Sequence, residues 1–358
     1  MSDELKKFRA QIDAIDDELL KLFNQRAKLA QQIGHAKNGS AVLRPEREAQ
    51  VLQRMVDANT GPLSAQSVST LFTEIMSHCR ALEEPLSVAY LGPQGTFTEA
   101  AMFKRFGTAV LGISCITIEQ VFGMVESGKS QYGVVPVENS TEGAIGLTLD
   151  LLLQSTAKVC SEVMLPIHQC LLAKSLTHDI LQKIKTVYSH PQSLAQCRDW
   201  LNTNLPNASR IPVASNAEAA RLASEDESSA AIAGVQAMAH FKLNVLAENI
   251  EDDSRNTTRF FVIGNQDVAA SGKDKTSLVM SAVNRPGAVH DLLVPFAKHG
   301  VSMSKLESRP AKSGLWEYVF FVDIEGHQTD SKVAAALKEL KDVAAFVKIL
   351  GSYPVATL

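Results

Sequence analysis

Two positively charged side chains occupy positions of the first predicted helix where the apolar pattern predicts leucine. The apolar residues recur three and four positions apart, as a packing seam requires. They are Leu5, Phe8, Ile12, Ile15, Leu19, Leu22, Leu29 and Ile33. Arg26 and Lys37 fill two slots of this series, and Arg9 flanks it. Because an uncompensated buried charge costs several kcal/mol, the pattern predicts an anionic partner for these cations.

The next two predicted helices add further polar groups to the same bundle. Arg47 and Glu48 stand beside the apolar residues of the second helix, and Glu83 follows Cys79 by four positions in the third. One interpretation is a structural bundle whose cations reach solvent or pair with carboxylates. The convergence of several cations favours a small dianion instead. A first helix of about 35 residues would be about 50 Å long, so we expect a second copy of the chain to cover it.

Four polar loops follow predicted strands in the middle of the chain. They lie at residues 92–101, 137–143, 189–193 and 256–260. Each loop alone is more typical of a capped turn than of a site. The first loop also opens a helix, whose free backbone N–H groups suit an anion. Since α/β folds bind ligands beyond the carboxyl ends of their strands, the four loops together predict a site.

Several kinds of chemistry are excluded by what these loops lack. The chain contains neither a G-x-G-x-x-G dinucleotide motif nor a P-loop. Ser189 precedes His190, but the G-x-S-x-G elbow of a hydrolase is missing. The nine histidines and five cysteines have no metal-binding spacing. We therefore predict no metal and no cofactor, and free thiols in a reducing compartment.

The composition is that of a globular protein that needs more than one core. The chain has 358 residues, 45% of them hydrophobic, and 35 Lys and Arg against 39 Asp and Glu. A formal charge of −4 without segregation argues against nucleic-acid and membrane partners. The first residues lack a signal peptide, and no apolar run reaches membrane-spanning length. We expect a cytoplasmic protein.

Three segments of different texture position these groups. Residues 1–85 have a helical pattern, with breaks near residues 38–40 and 60–62, and Pro45 and Ser64 suit helix starts. Residues 87–264 alternate strands with helices, which predicts an α/β fold with largely parallel sheets. After a polar linker, residues 276–358 follow the βαββαβ order of a ferredoxin-like α+β domain. The predicted fold class is thus multidomain.

The helical segment resembles the all-helical chorismate mutase family over essentially its whole length. The resemblance implies an intertwined helical domain, and it matches the substrate-binding residues of the family to Arg9, Arg26, Lys37, Arg47, Glu48, Cys79 and Glu83. It further implies that Arg9 reaches the site of the partner subunit and that Glu48 binds a substrate hydroxyl. Some members have serine where this chain has Cys79, and glutamine where it has Glu83.

The family's reaction, from chorismate to prephenate, is a pericyclic rearrangement that needs no acid, base or covalent step. The protein must hold one conformer and stabilise charge on the breaking ether oxygen. Lys37 can donate to that oxygen as a cation, whereas Glu83 can donate only when protonated. We therefore expect mutase activity to fall as the pH rises.

The four loops, in order, resemble those of prephenate dehydratase. Their motifs are G-P-x-G-T-F, V-P-V-E-N-S, S-H-P-Q and T-R-F. The resemblance implies two lobes like those of type II solute-binding proteins, with lobe one at residues 87–166 and 235–264. It identifies Thr258 as catalytic, and matches further cleft residues to Glu138, Asn139, Ser140, Ser189 and Gln192.

The implied reaction converts prephenate to phenylpyruvate, and its leaving hydroxyl needs a proton donor. A threonine hydroxyl is a weak acid, so we interpret Thr258 as an orienting donor to the departing oxygen. Whether Glu138 supplies the proton stays open. Arg259 is interpreted as a structural cation slightly ahead of a substrate contact.

The last segment resembles an ACT domain, a sensor of small molecules in amino-acid metabolism. Asn284-Arg285-Pro286-Gly287-Ala288-Val289 matches the G-A-L loop with valine for leucine, and Glu307-Ser308-Arg309-Pro310 matches the E-S-R-P motif. The resemblance implies that phenylalanine binds at these two motifs between paired ACT domains and inhibits the enzyme. The alternative is a plain dimerisation module.

Together the three resemblances imply a feedback-controlled enzyme that makes phenylpyruvate from chorismate as a homodimer or a dimer of dimers. One alternative couples the mutase to prephenate dehydrogenase, which would need a nicotinamide site. Another is a non-enzymatic sensor whose two lobes bind an acidic metabolite, since fold alone does not determine function.

Overall fold

The computed structural model describes residues 3–36, 43–176, 180–311 and 318–356. Contacts divide the chain into two compact units. The first comprises Met1–Leu86 and Arg105–Leu111, and the second Ser87–Lys104 and Gly112–Leu358. The first unit thus includes a short stretch that the sequence assigns to the dehydratase-like segment. No helix in the described ranges is both long enough and apolar enough to cross a membrane.

The first unit contains the three predicted helices. They are α1 (Asp3–Ala36), α2 (Pro45–Asp57) and α3 (Ala65–Ala81). Pro45 is the first residue of α2, where its missing N–H costs nothing. Ser64 caps α3 by accepting a hydrogen bond from the backbone N–H of Ser67. Both predicted helix starts are therefore confirmed.

The apolar seam of α1 is exposed in the single chain. Phe8, Ile12, Ile15, Leu29 and Ile33 keep between 53% and 60% of their surface accessible. At about 1.5 Å per residue, the 34 residues of α1 extend about 50 Å. Contiguous apolar surface on this scale is typical of an interaction site rather than of a finished monomer surface.

The second unit begins with lobe one, which surrounds a mixed sheet. Its elements in chain order are β1 (Ser87–Leu91), α4 (Phe97–Phe106), β2 (Leu111–Cys115), α5 (Ile118–Glu126), β3 (Tyr132–Asn139), β4 (Gly143–Ala144), α6 (Gly146–Gln154) and β5 (Lys158–Pro166). Lobe two follows with β6 (Cys170–Ala173), α7 (Ile180–Lys183), β7 (Thr186–Ser189), α8 (Pro191–Gln196), α9 (Arg198–Asn204), β8 (Ser209–Pro212), α10 (Asn216–Glu225), β9 (Ser229–Ala233), α11 (Gln236–Phe241) and β10 (Asn244–Ala247).

The chain crosses twice between the lobes. It leaves lobe one after β5, and it returns from β10 into β11 (Thr257–Gly264). The strand order is β2-β1-β3-β11-β5 in lobe one, with β4 beside β3, and β10-β6-β9-β7-β8 in lobe two. Because β10 pairs with β6, the return lies at residues 248–256. The predicted lobe boundary at residue 235 is wrong.

The sheets are mixed rather than largely parallel. In lobe one β1 and β3 are parallel, but β11 is antiparallel to both β3 and β5. In lobe two β7 is parallel to β8 and β9, whereas β6 is antiparallel to β9 and β10. The strand by which the chain enters each lobe from the other, β11 in lobe one and β6 in lobe two, is antiparallel to both of its neighbours. Helical periodicity alone does not reveal that reversal.

The C-terminal elements form the predicted ferredoxin-like domain. They are β12 (Asp274–Ser281), α12 (Ala288–His299), β13 (Met303–Pro310), β14 (Tyr318–Glu325), α13 (Ser331–Val343) and β15 (Phe346–Pro354), with strand order β13-β14-β12-β15. One face of this sheet packs on lobe one. Val279, Phe321 and Tyr353 share a buried apolar cluster with Val135 and Phe261. The domain therefore completes the core of lobe one.

Candidate active sites

Strands β3 and β11 carry the predicted catalytic residues of the dehydratase-like cleft. In their antiparallel register Thr258 lies opposite Asn139, and Arg259 lies opposite Glu138. Successive side chains of a strand point to opposite faces of the sheet. The structure therefore brings Thr258 together with Asn139, and it separates both from Glu138.

The side chain of Asn139 fixes the hydroxyl of Thr258. Its Oδ1 accepts hydrogen bonds from the backbone N–H groups of Thr141 and Glu142, at 3.0 and 3.2 Å. Since these groups can only donate, the amide Nδ2 must face the other way, where it lies 2.8 Å from Thr258 Oγ1. The threonine oxygen thus accepts from Asn139, and its own O–H is left to donate elsewhere.

The same amide reaches a residue that the sequence interpretation missed. Asn139 Nδ2 also donates to Asn256 Oδ1 at 2.8 Å, and Asn256 is 2% exposed. Asn256 precedes Thr258 by two positions, so the two-residue period of an extended segment could have indicated a shared face. Asn256 could therefore have been predicted from its spacing to Thr258 of the T-R-F motif.

The remaining predicted cleft residues have different surroundings. Ser140 pins the edge of the strand pair, because its N–H donates to the carbonyl of Thr257 at 2.9 Å. Ser189 is fully buried, and its hydroxyl lies 2.9 Å from Asn216 Oδ1. Gln192 lies in the first turn of α8 and is half-buried. Ser189 is thus a buried hydrogen-bonding residue of lobe two.

Polar side chains also meet across the cleft. Gln196 of α8 lies within hydrogen-bonding distance of Thr141 Oγ1, at 3.4 Å. Gln169, in the first crossing, donates to Ser193 Oγ at 3.2 Å and is 1% exposed. Neither glutamine was predicted, because no motif marks them and only the folding of both crossings brings them to the site.

The G-P-x-G-T-F loop contributes to the contact between the lobes. Gly95 has a φ of +81°, and a Cβ there would lie 3.3 Å from the Cα of Ala237 in α11. Beside it, an interlobe cavity of about 310 Å³ is lined by Phe97, Ala100, Leu165, Pro166, His168, Cys170, Val235, Gln236, Glu248 and Asn249. The first loop therefore borders space large enough for a small ligand.

Behind β3 and β11 lies a buried cluster of charges that joins lobe one to the ACT-like domain. Arg259 donates through Nε to Glu162 at 2.8 Å and through Nη2 to the hydroxyl of Tyr353 at 3.0 Å. Its Nη1 pairs with Asp323. Lys275 Nζ lies 3.0 Å from the same Glu162 carboxylate. Arg259 is thus a buried structural cation, as the sequence interpretation favoured.

Burial and charge act against each other in this cluster. Burial disfavours the charged guanidinium, but Tyr353, Asp323 and Glu162 outweigh it and raise the pKa of Arg259 above its ordinary value. Burial also raises the pKa of Tyr353 well above that of a free tyrosine. Arg259 therefore stays protonated and positively charged.

Glu138 belongs to this rear cluster rather than to the cleft. Its Oε2 lies 2.7 Å from Lys305 Nζ, an ion pair without hydrogen-bond alignment, and 3.9 Å from Arg259 Nη1. Lys305 lies on β13, two residues before the E-S-R-P motif. The carboxylate next to Asn139 in sequence thus faces the ACT-like domain.

The ACT-like motifs are also in contact with lobe one. Gly287 precedes α12 with a φ of +80°, which favours glycine. Arg309 of the E-S-R-P motif donates to Asp150 of α6 at 3.2 Å. Val289 and Ser308 are exposed. One side of this region is therefore tied to the dehydratase-like lobe, while the other remains accessible.

In the helical unit, Glu48 lies among arginines. It pairs with Arg80, and with Arg105 at 2.8 Å. Arg80 is 9% exposed and also donates to the carbonyl of Phe106 at 2.8 Å. Neither arginine was predicted. Arg105 could not have been, because it belongs in sequence to the following segment.

The other predicted mutase residues are only partly brought together in one chain. Glu83 packs against α1, where its side chain would meet a Cβ placed on Gly34 at 2.6 Å. Cys79 is buried, Arg26 is half-buried, and Arg9 and Arg47 are exposed. Lys37 lies outside the described residues. Among the described residues, the structure thus leaves Arg9 and Arg47 on the surface of the single chain.

All five cysteines are buried free thiols. Within the described ranges, no group of three His, Cys, Asp or Glu side chains could hold a metal ion.

Comparison with known proteins divides the chain as the resemblances do. A family model described as chorismate mutase type II matches residues 8–84. Models described as prephenate dehydratase and ACT domain match residues 88–268 and 276–342. The three resemblances are therefore confirmed.

Whole-chain relatives combine the same parts in the same order. The chain is 54% identical over 352 residues to the bifunctional chorismate mutase/prephenate dehydratase of Neisseria gonorrhoeae, covering 98% of this chain and 97% of the relative. The enzyme of that name from Pseudomonas aeruginosa is 47% identical and covers 99% of each chain. A crystal structure of prephenate dehydratase from Arthrobacter aurescens in complex with L-Phe superposes with a TM-score of 0.70 at 37% identity, over 75% of this chain and 90% of that one. The chain belongs to the family of bifunctional chorismate mutase/prephenate dehydratases.

Proposed function

We propose that the helical unit rearranges chorismate to prephenate, and that the two-lobed cleft then converts prephenate to phenylpyruvate, carbon dioxide and water. The observation that carries the second step is the hydrogen bond from Asn139 to Thr258 Oγ1. It leaves the threonine O–H free to donate, as a departing hydroxyl requires.

In this mechanism the C–O bond to the ring hydroxyl and the bond to the ring carboxylate break together. The electrons of the carboxylate bond complete the aromatic ring and the carboxylate leaves as carbon dioxide, while the hydroxyl takes up one proton from solvent in the cleft and leaves as water. Thr258 donates a hydrogen bond to the departing oxygen and so stabilises its growing negative charge. Asn139 and Ser140 hold that strand end, while Ser189 and Gln192 border the cleft from lobe two.

We assign Glu138 a supporting role rather than that of the proton donor. Its pairing with Lys305 and its register opposite Arg259 support this. The carboxylate steadies β3 from behind, and the proton reaches the leaving oxygen from the cleft side.

The mutase site is proposed to form between two copies of the chain. In support, the α1 seam is exposed over its length. A dianionic substrate would neutralise the cations Arg26, Lys37 and Arg47, and the second copy would cover the seam. Arg9 is then supplied by the partner copy, Glu48 accepts from a substrate hydroxyl, and Cys79 and Glu83 border the ether oxygen. A homodimer, or a dimer of dimers, follows.

Phenylalanine is proposed to bind at Gly287, Ala288 and Val289 together with residues 307–310, between paired ACT domains, and to inhibit. Support comes from the solved relative in complex with L-Phe and from the ties of β13 to lobe one through Lys305 and Arg309. A bound effector shifts activity only if it favours one of two states. The five free thiols support a cytoplasmic location.

Incubating the purified protein with chorismate and no cofactor tests this function. We expect phenylpyruvate, which absorbs strongly in alkali, and slower formation when phenylalanine is added. Accumulation of prephenate would show mutase activity without dehydratase activity. No turnover would favour the sensor, and turnover that appears only with a nicotinamide cofactor would favour the dehydrogenase. Unchanged rates and thermal stability at saturating phenylalanine would overturn the regulatory part.

A further inference from the structure

The two segments that cross between the lobes each hold a buried amide with one polar atom unpartnered among the described residues. Asn256 lies in the second crossing and is 2% exposed, and its Nδ2 has no hydrogen-bond acceptor. Gln169 lies in the first crossing and is 1% exposed, and its Oε1 has no donor. The crossings are joined directly, because the N–H of Ile167 donates to the carbonyl of Asn256 at 2.8 Å.

The orientation of the Asn256 amide is set by its neighbour. Its Oδ1 accepts from Nδ2 of Asn139, which is itself fixed by the backbone donors of Thr141 and Glu142. Nδ2 of Asn256 is therefore a donor with a fixed direction. It belongs to the same network that leaves the O–H of Thr258 free.

The Gln169 amide is held equally firmly from lobe two. Its backbone N–H donates to Glu251 at 2.8 Å, and its Nε2 donates to Ser193 Oγ at 3.2 Å. Ser193 Oγ also accepts from Asn216 at 2.9 Å. What remains is Oε1, an acceptor that no described group satisfies.

A buried amide group without a partner destabilises the fold, so a fold that holds two of them beside a catalytic network implies a ligand that satisfies both. Prephenate offers a carboxylate for the donor and a ring hydroxyl for the acceptor. We propose that Asn256 and Gln169 are substrate contacts of the dehydration reaction: Asn256 Nδ2 donates to a carboxylate oxygen of prephenate, and Gln169 Oε1 accepts from its hydroxyl.

Asn256 has a second role in this proposal. Through its Oδ1 it holds the amide of Asn139, which in turn orients Thr258. It is thus a positioning residue as well as a binding residue. The proposal rests on the assigned dehydratase function, and it names which amides recognise the substrate.

Isosteric substitution separates the two roles of Asn256. Asn256→Asp keeps an oxygen facing Asn139 but replaces the donor by a charged acceptor, which repels a carboxylate. We expect its dehydratase KM to rise about 10- to 100-fold, while kcat changes much less. Asn256→Leu removes both functions, so we expect kcat to fall as well, by about 100-fold.

Gln169 is tested by removing its acceptor. Gln169→Met removes the acceptor, and we expect KM to rise about tenfold. Asn244→Asp is the matched control, since that amide is bonded to the carbonyl of Lys174 at the surface.

Thermal unfolding of each variant reports whether the two-lobed unit is folded, since the mutase belongs to the other compact unit. Where Asn256→Asp unfolds at a lower temperature than the wild type, Asn256→Ser replaces it, with a raised KM expected from its shorter donor. A wild-type KM in the folded Asn256 variants would overturn the proposal, because a bridging water would then satisfy both amides. A wild-type protein that makes no phenylpyruvate would instead overturn the function itself.

Discussion

The helical unit and the two-lobed cleft differ in how much of each site one chain supplies. In the cleft, Thr258, Asn139 and Asn256 form a bonded network with 2.8 Å contacts. In the helical unit the apolar seam of α1 and the cations Arg9 and Arg47 are exposed.

This difference has a physical origin. A strand pair joined by backbone hydrogen bonds positions its side chains through its own register, so a catalytic group on β11 finds its partner on β3 within the chain. A long helix positions residues along one stripe, and a stripe becomes a pocket only when another surface closes it. A site on strands can therefore be complete in a monomer, whereas a site on a helical seam needs a second surface.

The largest expected effect tests the cleft half of this comparison. Thr258→Ala removes the free O–H donor, so we expect dehydratase kcat to fall by a factor of about 100 or more, with mutase activity unchanged. Thr257→Ala is the matched control, because the hydroxyl of Thr257 donates to the carbonyl of Arg255 instead. Phenylpyruvate formation measures both variants, and an unimpaired Thr258→Ala enzyme would remove the assignment.

The next test disrupts the apolar seam of α1 and leaves the cleft unchanged. Ile15→Glu places a charge in the exposed seam of α1, and we expect it to prevent pairing there and to lower mutase activity by about 100-fold, because burying a lone charge costs several kcal/mol. Dehydratase activity should persist. Asn24→Glu carries the same charge on the opposite side of the helix.

Light scattering and the two assays distinguish the outcomes. An Ile15→Glu protein that keeps both its mass in solution and its mutase rate would show that a single chain closes this site, and the contrast between the two regions would disappear.

A smaller effect is expected where the ACT domain meets the cleft. Lys305→Met removes the cation that pairs with Glu138 from β13, the strand that also carries residues 307–310. We expect the phenylalanine concentration for half-inhibition of the dehydratase to rise about tenfold, with basal rate and phenylalanine binding retained. Lys298 is an exposed lysine of the same domain, and Lys298→Met should leave inhibition unchanged. An equal rise in the half-inhibition concentration of both variants would contradict a specific role for the Lys305–Glu138 pair.

The smallest effect is a change in the shape of a pH profile. Glu83 can donate to the ether oxygen only when protonated, so we expect wild-type mutase activity to decrease as the pH rises, and Glu83→Gln to flatten that decrease to less than about threefold. Glu84→Gln is the neighbouring control. A wild-type rate that is constant between about pH 5 and pH 9 would refute this role, because the activity would then not depend on a protonated donor.

Local patterns predicted most of the elements. The starts of α2 and α3 follow from Pro45 and Ser64, and the βαββαβ order of the last domain follows from its strand and helix periods. The lobe boundary failed because nothing in the sequence of β10 distinguishes pairing with β6 from pairing within lobe one. Such non-local pairing is decided by tertiary contacts.

The site residues also divide into those that a local pattern marks and those that only tertiary contacts bring to the site. Thr258 and Asn139 lie in motifs, and Asn256 follows from the period of an extended segment. Gln169, Arg80 and Arg105 carry no local signal, because each acquires its partner only through folding over 24 or more positions. The face occupied by Glu138 depends on the register between β3 and β11, which motif spacing does not contain.

Arg105 has a consequence for anyone who wishes to separate the two enzymes. Its salt bridge to Glu48 lies in a stretch, Arg105–Leu111, that groups with the N-terminal helices although Ser87–Lys104 does not. A gene split after Pro85 would therefore leave Glu48 in the mutase fragment with one arginine fewer, because Arg105 lies beyond the split.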